Sequence, residues 1–527
     1  MKCYWSNLVF FWLFWLIHGL YIKQNLINPS DSRKNDNQQI PFANEGENVR
    51  LLDFESWIDR QKDISFASIL ENIGGISNSL PKSVVNGAVL ASPSEKDPDY
   101  FYQWTRDAAL TITSLVLQIS DKKLKNIDNL RHTVESYIEN QYYIQRVDNL
   151  SGNCNDTEKS CLGEPKFMPD NSPFNHVWGR PQRDGPGLRA STIIHYVNLL
   201  DQYETRVINN FLNSTQDIYF EIIKPDLIYI IYNWQKVGFD LWEEVNSHHF
   251  FTSITQMRAL LDGISIAKRF GDEPQFINDL HNTMVQLKKF ILFESGFISQ
   301  FSYILETPQL VYSGKRSGLD VATLLGSIHA HPLSYTYDVN YNLIPFNTNS
   351  TYLLNTLNFM VADMKYRYPI NHGRISDKPG GFALGRYPED VYDGHGTSEG
   401  NPWFISTATA AEVIYRYIYQ LKSNKVDLFI NSDNLQFLDQ FLDPEIQINE
   451  TIEYGSISFN KILTDMFDYA DSYLKIIKEH VDDNGFISEQ FNKYSGFMQG
   501  ARQLTWSHSA LWNAFRWRNI TNSILQD

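Results

Sequence analysis

Six segments of this 527-residue chain set carboxylates among tryptophan, tyrosine, arginine and glycine. The first runs Asp99-Tyr-Phe-Tyr-Gln-Trp-Thr-Arg-Asp107. There Tyr100 and Trp104 offer apolar faces, and Arg106 with Asp107 offers a charge-assisted pair for hydroxyl groups. The second, Trp178-Gly-Arg-Pro-Gln-Arg-Asp-Gly-Pro186, is a stiff loop able to project Trp178 and Arg180. The third is Phe239-Asp-Leu-Trp-Glu-Glu-Val-Asn246, with Asp240 and adjacent Glu243 and Glu244 beside Trp242. The fourth, Gly485-Phe-Ile-Ser-Glu-Gln-Phe491, carries the lone carboxylate Glu489, and Trp506 follows in Thr505-Trp-Ser-His508. Arg316-Ser-Gly-Leu-Asp320 is the fifth. The sixth is Gly385-Arg-Tyr-Pro-Glu-Asp390, continuing to Gly400-Asn-Pro-Trp403.

This make-up suits a sugar. Pyranose C–H faces stack on aromatic rings, and hydroxyls pair with Asp, Glu and Arg. Glycosidic hydrolysis needs two carboxyl groups flanking one bond, and an inverting pair stands about 6.5–9.5 Å apart to admit water. A Glu-Glu pair beside tryptophan can raise one pKa into general-acid range by desolvation and like-charge repulsion. Each segment also has a structural explanation. Asp107 suits a first helical turn. The Trp178 loop can be a turn pinned by Arg–Asp pairs, Glu243-Glu244 a solvated face, Glu489 a buried structural acid, and the last two segments caps and turns.

Other chemistries drop out. His480-Val-Asp-Asp-Asn-Gly485 resembles a calcium loop but begins with His and has Phe491 at its twelfth position. Gly314-Lys-Arg-Ser317 lacks the earlier glycine of a phosphate loop; Gln309 stands there. Gly263-Ile-Ser-Ile-Ala267 misses the last glycine of a nucleophile elbow. His248-His249 is a bare pair, and no H-e-x-x-H pattern occurs, so no metal or cofactor is expected.

The elements that position these loops are helices. Ala108, Leu110, Ile112, Leu115, Val116 and Ile119 follow 3.6-residue spacing. Similar stretches run over 127–147, 188–203, 214–234, 250–270, 275–292, 318–328, 350–366, 403–421, 460–481 and 503–517, with Pro225 starting or kinking a helix. Strand alternation is scarce. This predicts an all-α fold, a toroid of paired helices whose irregular loops form a mouth. With 43% apolar and 14% aromatic residues the chain has ample core. Its net charge of −16 repels phosphate backbones and argues against nucleic acid.

Lys2 followed by the apolar run Leu8–Ile17 reads as a secretory signal over 1–21, or an uncleaved signal anchor. Residues 22–50 read as a polar, flexible lead-in, and 51–527 as one catalytic domain. Asn149, Asn155, Asn213, Asn349, Asn449 and Asn519 each open a glycosylation sequon. Cys154 and Cys161 flank a polar stretch. With no C-x-x-C and no second Cys/His cluster, a small loop-closing disulfide is favoured over a metal clip or redox pair in an exported chain.

Taken in order, these segments resemble the fungal glucoamylases of glycoside hydrolase family 15, most closely the yeast type. Ala91-Ser-Pro-Ser94 with Asp97–Asp107, Leu162-Gly-Glu-Pro-Lys166 with Trp178–Pro186, Phe239–Asn246, Arg316–Asp320, Gly385–Asp390 with Gly400–Trp403, and Ser488–Phe491 with Thr505–Ser507 carry the resemblance across about 51–520. It implies an (α/α)6 barrel. It also implies exo-hydrolysis of α-1,4-glucosidic bonds, and more slowly α-1,6 bonds, from non-reducing ends with inversion to β-glucose. By position, Glu243 is then the general acid and Glu489 the general base. Arg106 and Asp107 hold the terminal glucose. Arg316, Glu244 and Trp178 surround the next positions, Tyr100, Trp104 and Trp506 line the pocket, and Asp240 can tune the acid. The family often has tyrosine where His508 stands, and a histidine there could move the acidic pH limb. No starch-binding module is expected, nor a stable membrane partner unless the signal is uncleaved. The expected protein is a monomer on the secretory route, outside the cell or in a vacuole or spore compartment, acting on starch, glycogen or maltooligosaccharides. The rival readings are another α-glucan or trehalose hydrolase on the same barrel, and a non-catalytic carbohydrate binder.

Overall fold

The computed structural model describes residues 48–122, 127–209, 211–333, 339–376 and 379–526. The signal segment, Cys3 and most of the lead-in lie outside them. Among the described residues, twelve helices have ten residues or more: α1 Phe54–Glu71, α2 Thr105–Asp121, α3 Asp128–Ile144, α4 Gly185–Gln202, α5 Lys224–Asn233, α6 Phe250–Arg269, α7 Pro274–Lys289, α8 Val321–Ala330, α9 Thr351–Arg367, α10 Phe404–Ser423, α11 Ile457–His480 and α12 Thr505–Gln526.

The periodic stretches of the sequence became α2–α12. Pro225 lies in the first turn of α5, behind a π-helical turn at Tyr219–Ile223, where its missing N–H costs nothing. α1 escaped the pattern because its buried face mixes Trp57, Ile58, Ile64 and Ile69 with Gln61, Ser65 and Ser68, which blurs the apolar period.

The packing closes a ring. α2, α4, α6, α8, α10 and α12 each pack on the next, and α12 packs back on α2. α1, α3, α5, α7, α9 and α11 pack around them as a second layer. This is the (α/α)6 barrel. Inner helices are buried on nearly every side; in α10 every residue from Phe404 to Ile418 is buried. Buried charges of the inner helices form ion pairs, as in Arg416–Glu412 and Arg189–Asp226. Among the described residues four two-stranded ribbons decorate the barrel: β1 Gln103–Trp104 with β2 Lys166–Phe167, β3 Gly238–Phe239 with β4 Asn246–Ser247, β5 Leu428–Phe429 with β6 Thr451–Ile452, and β7 Ser488–Phe491 with β8 Met498–Arg502.

Each inner helix follows an outer one, so all six run the same way. Their N-termini meet the loops that carry the sequence motifs: Trp104 precedes α2, Asp184 α4, His249 α6, Asp320 α8, Trp403 α10 and Leu504 α12. The positive ends of six helix dipoles thus lie at the end of the barrel where the acidic residues gather.

Candidate active site

A cavity of about 320 Å³ opens at that end. Its walls include Tyr100, Trp104, Trp178, Trp242, Trp403 and Trp506, and its polar groups are Arg106, Asp107, Glu243, Glu244, Arg386, Tyr392 and Glu489. A mostly apolar concavity with a few converging polar groups is the form of a small-molecule site.

Glu243 stands in the hairpin between β3 and β4, in the left-handed region at φ 68°. The turn is pinned from below. The Glu243 N–H donates to the Asp240 carbonyl at 2.9 Å, and Asp240 Oδ1 accepts the N–H groups of Glu244 and Val245 at 2.7 Å each. A non-glycine residue held at positive φ costs about 1–3 kcal/mol and persists where its surroundings enforce it. Glu243 Oε1 accepts from Trp104 Nε1 at 2.7 Å and from Gln182 Nε2 at 2.8 Å, with Arg106 Nη2 at 3.9 Å. Its side chain remains 17% exposed.

Glu489 lies on β7 at a register irregularity between Ser488 and Gln490, a feature that re-aims a side chain. It is 1% exposed. Burial pushes its carboxyl up to about 8, against the pull of the Arg386 guanidinium, the Tyr100 and Tyr392 hydroxyls and the Ala501 N–H. The two phenols lie 3.0 Å apart. Opposite on β8, Gly500 sits at φ 74°, and a Cβ there would stand 2.2 Å from Glu489 Oε2. Glycine is required by both the turn and the close approach.

Arg106 Nη1 donates to Gln182 Oε1 at 2.7 Å and Asp184 Oδ2 at 3.2 Å, and Nε lies 3.3 Å from Asp107 Oδ2. Burial raises Asp107 to about 6 despite the adjacent guanidinium. Glu244 belongs to a different network. Burial opposes its charge, but Arg386, the Tyr387 hydroxyl and Arg316 together hold it below the usual carboxylate range. Arg386 Nη2 and Arg316 Nη2 each donate to it at 2.8 Å.

Behind the aromatic wall lies Lys166, 2% exposed, with no oxygen acceptor among the described residues. Its Nζ is 3.6 Å from the Trp178 ring centre, 4.0 Å from Tyr102, 4.2 Å from Phe174 and 4.4 Å from Trp104. Burial lowers its pKa to about 8. The four ring faces replace water around the cation.

Five buried polar atoms on residues lining the cavity make no hydrogen bond among the described residues: Arg106 Nε, Asp107 Oδ2, Trp178 Nε1, Trp403 Nε1 and Glu489 Oε2, the first two facing each other at 3.3 Å as an ion pair. Polar atoms of this kind around one concavity can exchange hydrogen bonds with a polar ligand.

The profile of glycosyl hydrolases family 15 matches residues 62–516. The chain belongs to this family. It is 40% identical over 497 residues to a glucoamylase of Saccharomycopsis fibuligera, covering 90% of this chain and 92% of that one. It is 38% identical over 489 residues to the intracellular sporulation-specific glucoamylase of Saccharomyces cerevisiae, covering 90% and 85%. The solved Saccharomycopsis fibuligera glucoamylase superposes with a TM-score of 0.85 at 38% identity, covering 92% of this chain and 99% of that one. The family 15 glucoamylase of Hypocrea jecorina gives 0.77 at 32%, covering 89% and 73%.

Against this family 15 frame, nine of the residues singled out in the sequence line the cavity: Tyr100, Trp104, Arg106, Asp107, Trp178, Glu243, Glu244, Glu489 and Trp506. Asp240 does not; its carboxylate is used on backbone N–H groups beneath the Glu243 turn. Arg316 stands one layer back, reaching the cavity only through Glu244 and Tyr387. His508 is corrected. It is fully buried between Gln503 and Ser65, and burial drops its pKa to about 3, so it stays neutral and moves no acidic limb. Cys154 and Cys161 form a disulfide. Gln182, Lys166, Tyr392 and Gly500 went unassigned in the sequence. Lys166 and Gln182 lay inside quoted motifs, whereas Tyr392 and Gly500 carry no local signal.

Proposed function

We propose that this glycoside hydrolase works as a glucoamylase, removing single glucose units from the non-reducing ends of α-1,4-linked glucans, and α-1,6 links more slowly, with inversion. The carrying observation is an aromatic-walled cavity that brings together two carboxyl groups from separate hairpins, Glu243 between β3 and β4 and Glu489 on β7. A pocket set in one end of a closed helical ring favours a chain end over a chain middle, in keeping with exo action.

Glu243 serves as the general acid and Glu489 as the general base. Charge alone argues for the opposite order, because burial keeps Glu489 protonated to higher pH than usual. Position outweighs it. The leaving chain must depart through the mouth, so its oxygen is protonated from the more open carboxyl, Glu243. The water attacks from the recessed side, where only a small molecule fits, beside the buried Glu489. Arg386, Tyr100 and Tyr392 favour the ionised form that the base requires. Arg106 and Asp107 grip the terminal sugar, Trp178 and Trp506 stack on it and its neighbour, and Glu244 with Arg316 and Arg386 reads the next unit.

Anomeric proton NMR during maltoheptaose cleavage tests this. β-Glucose should appear first, with stepwise shortening. Turnover of trehalose instead would favour the rival substrate, and initial α-glucose would defeat inversion. α-Glucosyl fluoride, whose leaving group needs no acid, tests the roles. Glu243→Gln should still hydrolyse it while Glu489→Gln should not; the reverse pattern exchanges acid and base.

Export fits the disulfide and the exposed sequon asparagines Asn155, Asn213, Asn349, Asn449 and Asn519. Asn149 differs: its amide donates to the carbonyls of Val147 and Cys161 at 3.0 Å each. Peptide mass spectrometry of the exported protein should find glycans on the five and not on Asn149. No helix among the described residues is long and apolar enough to cross a membrane.

A further inference from the structure

The fifth sequence segment ends at Asp320, which the catalytic reading leaves unused. Asp320 is 5% exposed and caps α8, its Oδ1 accepting the Ala322 N–H at 2.8 Å. It also accepts a forked hydrogen bond from Trp242 Nε1, at 3.0 Å to Oδ1 and 3.2 Å to Oδ2. Trp242 is the residue before Glu243. Its ring lines the cavity, 5.5 Å from Trp403 and 6.4 Å from Trp506, with the Arg386 guanidinium 5.2 Å from its centre.

Behind Asp320 lies Glu306, 3% exposed, whose carboxylate accepts the Phe251 N–H in the first turn of α6 at 3.1 and 3.2 Å. Its backbone joins the same corner: Glu306 N–H donates to Gly318, and Phe250 N–H donates to the Glu306 carbonyl. Two buried carboxylates therefore cap the starts of two neighbouring inner helices, Glu306 on α6 and Asp320 on α8. Asp240 and Asp184 add negative charge, and Arg316 adds the compensating cation on the Asp320 side.

We propose that Asp320, backed by Glu306, is a positioning residue that fixes the Trp242 ring and through it the backbone on which Glu243 stands. Trp242 has no other hydrogen-bond acceptor for its N–H among the described residues, so without Asp320 only packing sets the ring plane. The reaction needs Glu243 placed to a fraction of an ångström. Burial raises both acids, Asp320 to about 8, and the charges of Asp320 and Asp240 add to the rise at Glu306.

The inference rests on Glu243 being catalytic, and the test separates the two. Asp320→Ala and Trp242→Phe are made singly and together, and kcat and KM are measured on maltoheptaose. Each single variant should lose kcat by on the order of 10–100-fold, as about an ångström of misplacement does, with KM changed less than threefold. The double variant should lose no more than the worse single one. Asp320→Asn, which keeps the acceptor, should restore kcat to within about threefold of the parent protein and covers the case in which the alanine variant fails to fold. Independent, multiplying losses, or a fall in thermal midpoint with kcat intact, overturn the proposal.

Two readouts stand apart from Glu243. The same cycle in thermal midpoints should also be non-additive. In addition, an acid raised in the folded state costs stability as pH climbs above the ordinary carboxylate range, so Glu306→Gln should flatten the fall of the midpoint there. An unchanged slope removes Glu306 from the proposal. Full activity in Glu243→Gln would defeat the catalytic reading while leaving these two results standing.

Discussion

Replacing Trp104 by Phe removes one N–H from the site and little else. The benzene ring keeps a wall for the sugar and a face for Lys166, whose Nζ stands 4.4 Å from the indole. What disappears is the 2.7 Å bond from Nε1 to Glu243 Oε1, leaving Gln182 at 2.8 Å and Arg106 at 3.9 Å. As the acid Glu243 gives up its proton, this becomes a hydrogen bond to a charged group, which contributes about 1.5–3 kcal/mol. If that bond orients Glu243 toward the glycosidic oxygen, its loss appears in the transition state. At about 1.4 kcal/mol per decade, kcat should fall roughly 10- to 150-fold. KM for maltoheptaose should move little, since binding falls chiefly to rings and to groups that remain. Initial rates of glucose release across a substrate series separate the two constants. α-Glucosyl fluoride adds a control, because a leaving group that needs no proton should feel the change much less. A kcat within threefold of the parent protein, or a loss carried wholly by KM, would refute the argument that Trp104 orients the acid.

Tyr392→Phe removes a hydroxyl that favours ionised Glu489, so the acidic limb of kcat/KM should move to higher pH; a limb that stays put would separate Tyr392 from the base. Lys166→Met removes an ammonium whose folded pKa is lowered from 10.5 to about 8. The folded parent protein sheds this proton more readily than the unfolded chain, so it gains stability as pH rises from about 8 to about 10.5. The variant should lose that gain in pH-resolved thermal unfolding. Cys161→Ser opens the loop between Cys154 and Cys161 and should lower unfolding free energy in urea by about 2–3 kcal/mol.

Helices α2–α12 were legible because their apolar residues recur with a 3.6-residue period, whereas α1 was not, because Gln61, Ser65 and Ser68 interrupt its buried face. The sugar chemistry was legible because tryptophan, arginine and carboxylate seldom crowd together in a loop for structural reasons alone. Glu243 and Glu489, 246 positions apart, could be nominated from their local company. What the chain order alone left open was the facing of side chains. Asp240 and Glu244 lie in one short motif, yet one carboxylate turns under the hairpin to hold backbone N–H groups while the other enters the cavity. That choice depends on Glu243 taking a left-handed turn, which neighbouring loops enforce. His508 follows the pocket residue Trp506 by two positions, but half a helical turn sends it into the α1–α12 contact, where burial silences it. Gly500, Tyr392 and Lys166 act through partners distant in the chain: a carboxylate on the facing strand, a phenol across the mouth, and rings from two loops. Composition and period thus determined the helices and the class of ligand. Ring closure decided which acids share a cavity, which are neutralised and which are buried, because charge and desolvation depend on distances in space rather than along the chain.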